Sequence, residues 1–76
     1  MMNKPLNRYA LGNNLIRMAK ARHMTQKTIA DSIGVHPNTL YQWTQGNIRP
    51  NVYDLYRVAK VLDTTMDELM EGVEDG

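Results

Sequence analysis

The stretch from Gln26 to Gly46, QKTIADSIGVHPNTLYQWTQG, constrains this chain more than any other, because it allows two short helices and forces a break between them. Gly34 stands where the first must stop, and only glycine reaches the left-handed conformation past a helix end without a Cβ penalty. Pro37 suits the first position of the second helix, where its missing N–H is harmless. Thr25 is a good N-cap for the first helix, with Met24 before it and Ile29 at N4 as a hydrophobic staple. Ile29, Ala30 and Ile33 form that helix's buried face, Ala30 being small enough for a close helix crossing. Leu40 and Trp43, three apart, put two large apolar groups on one face of the second helix and leave the other polar.

That layout is a helix-turn-helix, a unit whose second helix enters the major groove of DNA. A helical period runs through the rest, and no segment alternates like a strand, so an all-α fold is expected. Leu11, Leu15 and Met18 share one face of a first helix over about residues 7–22. Gly12 within it costs about 1 kcal/mol relative to alanine. Val35 and Leu40 make a staple for the third helix, although His36 is a mediocre N-cap. Gly46 ends that helix, and Asn47-Ile-Arg-Pro50 is a loop with turn chemistry. Asn51 caps a fourth helix whose Leu55, Val58, Ala59 and Leu62 line one face. Thr65 and Glu68 form a capping box for a short last helix from Met66 to about Glu71, stopped by Gly72. Residues 1–71 then form one domain, and 72–76 an acidic tail or the start of a linker.

At 76 residues and without cysteine, the chain builds one small core with no disulfide or thiolate–zinc site to help it. No apolar run exceeds three residues, so neither a signal peptide nor a membrane span is expected, and a reducing cytoplasm is the natural setting. The net charge of +1 hides a segregation. Residues 1–60 carry all nine Lys and Arg against two carboxylates, Asp31 and Asp54, whereas residues 61–76 carry six carboxylates and no base. A basic body with an acidic end suits a polyanionic partner on one side.

With these residues in view, the stretch from Gly12 to Met70 resembles the lambda-repressor-like, Cro/C1-type helix-turn-helix DNA-binding domain. The resemblance is carried by Asn14-Leu15, Met24-Thr25-Gln26, Ala30, Gly34-Val35, Leu40, Trp43, Gly46, Pro50, Leu55, Ala59, Leu62 and Leu69. It implies a five-helix bundle with the helix-turn-helix at helices 2 and 3. It also implies a sequence-specific regulator of transcription, most readily a repressor, that binds a palindromic operator as a dimer.

Carried over by position, the resemblance puts Pro37, Asn38, Thr39 and Gln42 on the base-reading sites, with Tyr41 at their edge. Asn and Gln are apt, since a carboxamide can donate to adenine N7 and accept from N6 in one bidentate contact. Pro37 departs from the best-known phage repressors, which carry glutamine there; proline cannot hydrogen-bond a base. Gln26, at the open N-terminus of the second helix, suits a phosphate oxygen. Lys27, Asn47, Arg49 and Arg17 are further phosphate candidates. Many relatives pair an Arg on the first helix with a Glu late in the third, where this chain has Ala19 and Thr44, so both charges are lost together.

Met66, Met70 and Val73 are the expected dimer contact, because the last helix carries more apolar surface than it can bury on its own bundle. Nothing points to catalysis or a cofactor: His23 and His36 sit thirteen apart without metal-ligand spacing, and the carboxylates cluster at the C-terminal end. Two alternatives remain open, an antitoxin that also grips a toxin and the DNA-binding head of a longer regulator.

Overall fold

A computed structural model describes residues 7–74, which form five helices and, among those residues, no strand. They are α1 (Ala10–Ala21), α2 (Gln26–Ile33), α3 (Pro37–Thr44), α4 (Val52–Val61) and α5 (Met66–Leu69). Residues 1–6 and the tail positions Asp75 and Gly76 lie outside the described residues. Helix α1 starts later than its apolar spacing predicts, because Asn7 folds a turn instead: its side-chain oxygen accepts from Tyr9 N–H (3.0 Å) and its carbonyl from Ala10 N–H (3.3 Å). Helix α5 stops at Leu69, short of the expected Glu71, and passes into turns through Gly72 at φ +86.

Side chains cap four of the five N-termini. Thr25, Asn51 and Thr65 accept from the third residue onward, at Thr28, Asp54 and Glu68 N–H respectively. His36, which looks a poor cap by residue type, presents ring Nδ1 to Asn38 N–H at 3.0 Å. The expected capping box forms only by half, since Glu68 accepts from Thr64 Oγ1 (3.3 Å).

One joint recurs along the chain. Helices α1, α2, α3 and α4 all end in the Schellman arrangement, with two N–H groups beyond the helix folding back onto its open carbonyls. The 6→1 bonds run from Met24 to Ala19 (2.9 Å), Val35 to Ala30 (3.0 Å), Asn47 to Gln42 (3.1 Å) and Thr64 to Ala59 (2.9 Å). The left-handed residue is glycine at Gly34 (φ +76) and Gly46 (φ +73), but His23 (φ +56) and Asp63 (φ +53) at the other two. After three of these turns a single residue intervenes before the next N-cap, which makes the α1–α2, α2–α3 and α4–α5 corners alike. Only the α3–α4 connection is longer.

The helices close a ring of neighbours: α1 packs on α3 and α5, α2 on α3 and α4, and α4 on α5. Leu15, Ile29, Leu40, Leu62 and Leu69 fill the middle with no more than 1% of their surface exposed, and Trp43 and Val58 complete it. Met24 and Val35 lean on this core half-buried, as their staples require, and Met66 does the same from α5. Gly12 is where α1 touches α3. A Cβ there would meet Thr44 Cα and C at 2.7 Å, and the Thr44 carbonyl oxygen closer still. The glycine that looks like a helix defect in sequence is thus the point of closest helix approach.

Three long-range bonds draw the C-terminal turns onto the N-terminal side. Asn14 on α1 donates both amide hydrogens, to Leu69 O (2.9 Å) and Glu71 O (2.8 Å). Asn7 N–H donates to Val73 O at 2.7 Å.

Candidate nucleic-acid interface

Helix α3 divides cleanly. Leu40, Trp43 and Thr44 face inward, Thr44 also donating its hydroxyl to Tyr41 O (2.6 Å), so the helix is pinned along one side. The opposite side holds Asn38, Tyr41 and Gln45 exposed and Gln42 half-buried, while Pro37 and Thr39, also half-buried, flank the buried side. None of the five proposed readers is buried, and Asn38, Tyr41 and Gln42 point away from the core. Gln45, which the sequence reading passed over, shares the outward side three residues beyond Gln42. Its spacing was the available signal; its amide reaches Thr44 Oγ1 at 3.4 Å.

Asn38 is fixed at the start of this face, its N–H taken by the His36 ring. Gln42 is fixed at the other end, where Asn47 Nδ2 donates to its Oε1 at 2.8 Å. The loop after α3 thus lies against the polar side of the helix, with Asn47, Ile48 and Arg49 all exposed.

The remaining phosphate candidates sit apart from that pair. At α2, Thr25 takes Thr28 N–H, which leaves the Gln26 and Lys27 N–H groups as the open donors of the helix end. Lys27 is exposed and bridges to Asp31 at 2.9 Å within its own helix. Arg17 on α1 is exposed and donates to Asn14 Oδ1 (3.3 Å). Among the described residues the only other ion pair is Arg57–Asp54 at 3.7 Å, so Arg17 and Arg49 meet no carboxylate. The Lys27–Asp31 pair is solvated and the Arg57–Asp54 pair partly so, and each adds little to stability, on the order of 0.3–0.5 kcal/mol.

The three dimer candidates line two different grooves. Met70 and Val73 line a mainly apolar cleft with Leu11, Ile48, Arg49 and Leu55. Met66 opens onto a separate groove beside Tyr56 and Lys60. At about 140 Å³ the cleft is well below the ~300 Å³ of small-molecule pockets and suits a single apolar side chain. Ile48, half-exposed at 51%, stands at its edge. Among the described residues no group of His, Cys, Asp or Glu is placed to hold a metal ion, and no helix is long and apolar enough to cross a membrane.

A family model described as Helix-turn-helix matches residues 15–69, more than half of the chain. No curated protein sequence matches it significantly. Among solved structures the chain is similar to the clp gene regulator ClgR from Corynebacterium glutamicum, at TM-score 0.82 and 23% identity, covering 92% of this chain and 74% of that one. It is similar to the restriction-modification controller protein C.AhdI from Aeromonas hydrophila, at TM-score 0.77 and 21% identity, covering 82% and 94%. It is also similar to the P22 c2 repressor protein in complex with a synthetic operator, at TM-score 0.75 and 24% identity, covering 82% and 94%. At these identities the likeness is one of fold.

Proposed function

The chain belongs to the Cro/C1 type of the helix-turn-helix family of DNA-binding transcriptional regulators, and from that premise we propose that it represses transcription by binding a palindromic operator as a dimer. The observation that carries this reading is the two-sidedness of α3: Leu40 and Trp43 hold it down while a continuous polar face of short amides and hydroxyls is left outward. Asn38, Thr39 and Gln42 read base edges in the major groove, with Pro37 against a thymine methyl and Tyr41 at the rim. Gln26 and the open N–H groups of α2 take a phosphate, as do Arg49, Arg17, Lys27 and the second amide hydrogen of Asn47.

One such helix covers only a few base pairs, and a twofold dimer sets two of them about 34–36 Å apart on one face of the duplex. The proposed dimer contact is the cleft of Met70 and Val73 with Ile48 at its rim. Met66, one turn earlier on α5 and beside a neighbouring groove, is the outlying member of that proposed contact.

The test is operator titration across salt. Each phosphate neutralised contributes about −0.9 to the slope of log affinity against log salt, so affinity falls steeply between low and physiological salt. A flat dependence refutes DNA binding. Gln42→Ala is expected to relax preference at one or two base pairs at a cost of about 1–3 kcal/mol, whereas Arg49→Ala weakens all sequences alike.

A further inference from the structure

The Schellman turns that end four of the helices differ in what they set across the helix end. In each, the residue two beyond the cap folds over the third residue from the end of the helix. At α1, α2 and α4 that helical residue is Ala19, Ala30 or Ala59, each at most 3% exposed, and its partner is Met24, Val35 or Thr64. At α3 the pair is Gln42 and Asn47. The backbone bond is the same, Asn47 N–H to Gln42 O at 3.1 Å, and the side chains add a second, Asn47 Nδ2 to Gln42 Oε1 at 2.8 Å. Asn47 is exposed, and no core residue depends on this amide pair. Water competes for such a bond, so fold stability is a poor reason for it.

We propose that Asn47 is a specificity-determining positioning residue, which holds the Gln42 carboxamide by its oxygen and so presents Gln42 to the major groove as a hydrogen-bond donor. This rests on the reading of α3 as the recognition helix. A free glutamine amide rotates about a broad, roughly two-fold terminal torsion and offers either end. Unrestrained, it suits adenine, donating to N7 and accepting from N6. Held by Oε1, it leaves its NH2 group as the free end, with two hydrogens. Guanine, with N7 and O6 side by side, is the base edge that takes two donors. Gln42 in this chain therefore selects guanine at the position it reads. The second hydrogen of Asn47 Nδ2 stays open for a phosphate, and because a phosphate oxygen only accepts, that contact on DNA keeps the Asn47 nitrogen, not its oxygen, turned to Gln42.

Selection of bound sequences from a random DNA library, followed by affinities for single-base variants of the selected site, tests the proposal. Wild type, Gln42→Ala, Asn47→Ala and Asn47→Asp are compared. Gln42→Ala identifies the position read, where wild type prefers guanine by roughly tenfold. Asn47→Ala lowers that preference severalfold and raises adenine relative to guanine, leaving other positions unchanged. Asn47→Asp can only accept, so it draws the Gln42 NH2 group to itself and turns Oε1 to the groove; the preference moves to donor edges, cytosine N4 or adenine N6. Both variants keep the backbone bond to Gln42 O, and thermal melting verifies the fold.

Uniform weakening of all sequences by both Asn47 variants, with the preference intact, overturns the proposal and leaves Asn47 a phosphate contact. A wild-type preference for a base other than guanine at the Gln42 position overturns it equally. If wild type selects no sequence, or Gln42→Ala alters no position, the recognition-helix reading fails, a result distinct from failure of the amide pin.

Discussion

Gly12→Ala pits intrinsic helix preference against packing, and the geometry says which wins. Alanine favours the helix by about 1 kcal/mol over glycine. The new methyl, however, would stand 2.7 Å from both Thr44 Cα and Thr44 C, where ordinary contact begins at 3.4 Å. All the obstructing atoms are backbone, so no rotamer change relieves the overlap, and α1 must move off α3 by the better part of an ångström. That shift is transmitted to Leu15, Leu40 and Trp43, which pack across the same seam. Overpacking a well-filled core costs typically 1–3 kcal/mol, and a backbone obstruction belongs at or beyond the top of that range. The expected net loss is about 2 kcal/mol, which lowers the melting temperature of a domain this size by roughly 8–16 °C. Thermal and urea unfolding followed by circular dichroism at the helical band reads it directly. Gly34→Ala is the contrast: nothing lies within 4 Å of its Cβ, so its cost is left-handed strain alone, on the order of 1 kcal/mol. If Gly12→Ala is as stable as wild type, helix propensity governs that position and the close α1–α3 approach does not hold in solution.

Asp63→Gly is expected to stabilise by about 1 kcal/mol in urea unfolding, since Asp63 sits at φ +53 and its charge faces the negative end of α4; no gain would mean that the aspartate makes a compensating contact. Asn14→Ala strips the partners from Leu69 O and Glu71 O and should cost about 1–3 kcal/mol, with amide exchange accelerating first in the turns after α5. Met70→Glu should leave the fold and non-specific DNA binding intact while abolishing cooperative filling of two half-sites, as read by sedimentation and operator titration; persistent cooperativity moves the dimer contact off this cleft.

What could be read in the sequence was what is decided within one turn of chain. Thr25, Asn51 and Thr65 cap the helices their residue types announce, and Gly34 and Gly46 take the left-handed positions past α2 and α3. The apolar periods of α2, α3 and α4 name their buried faces correctly. The features that stayed hidden depend on residues far apart in the chain. Gly12 carries no sign that Thr44 lies against it, and Asn14 none that it will hold carbonyls more than fifty positions away. His36 misled for a different reason: histidine is not a favoured cap, yet an unprotonated ring nitrogen accepts as a hydroxyl does. On α3, the outward face was legible from the spacing of Leu40 and Trp43. The Asn47–Gln42 bond was not, because it needs the left-handed turn at Gly46 to bring residue 47 back over residue 42.

The bond from Asn7 N–H to Val73 O has a topological consequence. The two ends of the described chain meet on one side of the bundle, so the fold is already nearly a ring, opened at a single point. A short glycine-rich bridge from residue 74 to residue 7 could close it with little change of path, and new ends could be cut at the exposed α3–α4 connection instead. A closed chain also has less freedom to gain on unfolding, a difference on the order of 4 kcal/mol for an ideal loop of this length. In such a permutant α1 and α5 would become one continuous passage, and α3 would lie beside a terminus, free to be extended along the duplex it is proposed to read.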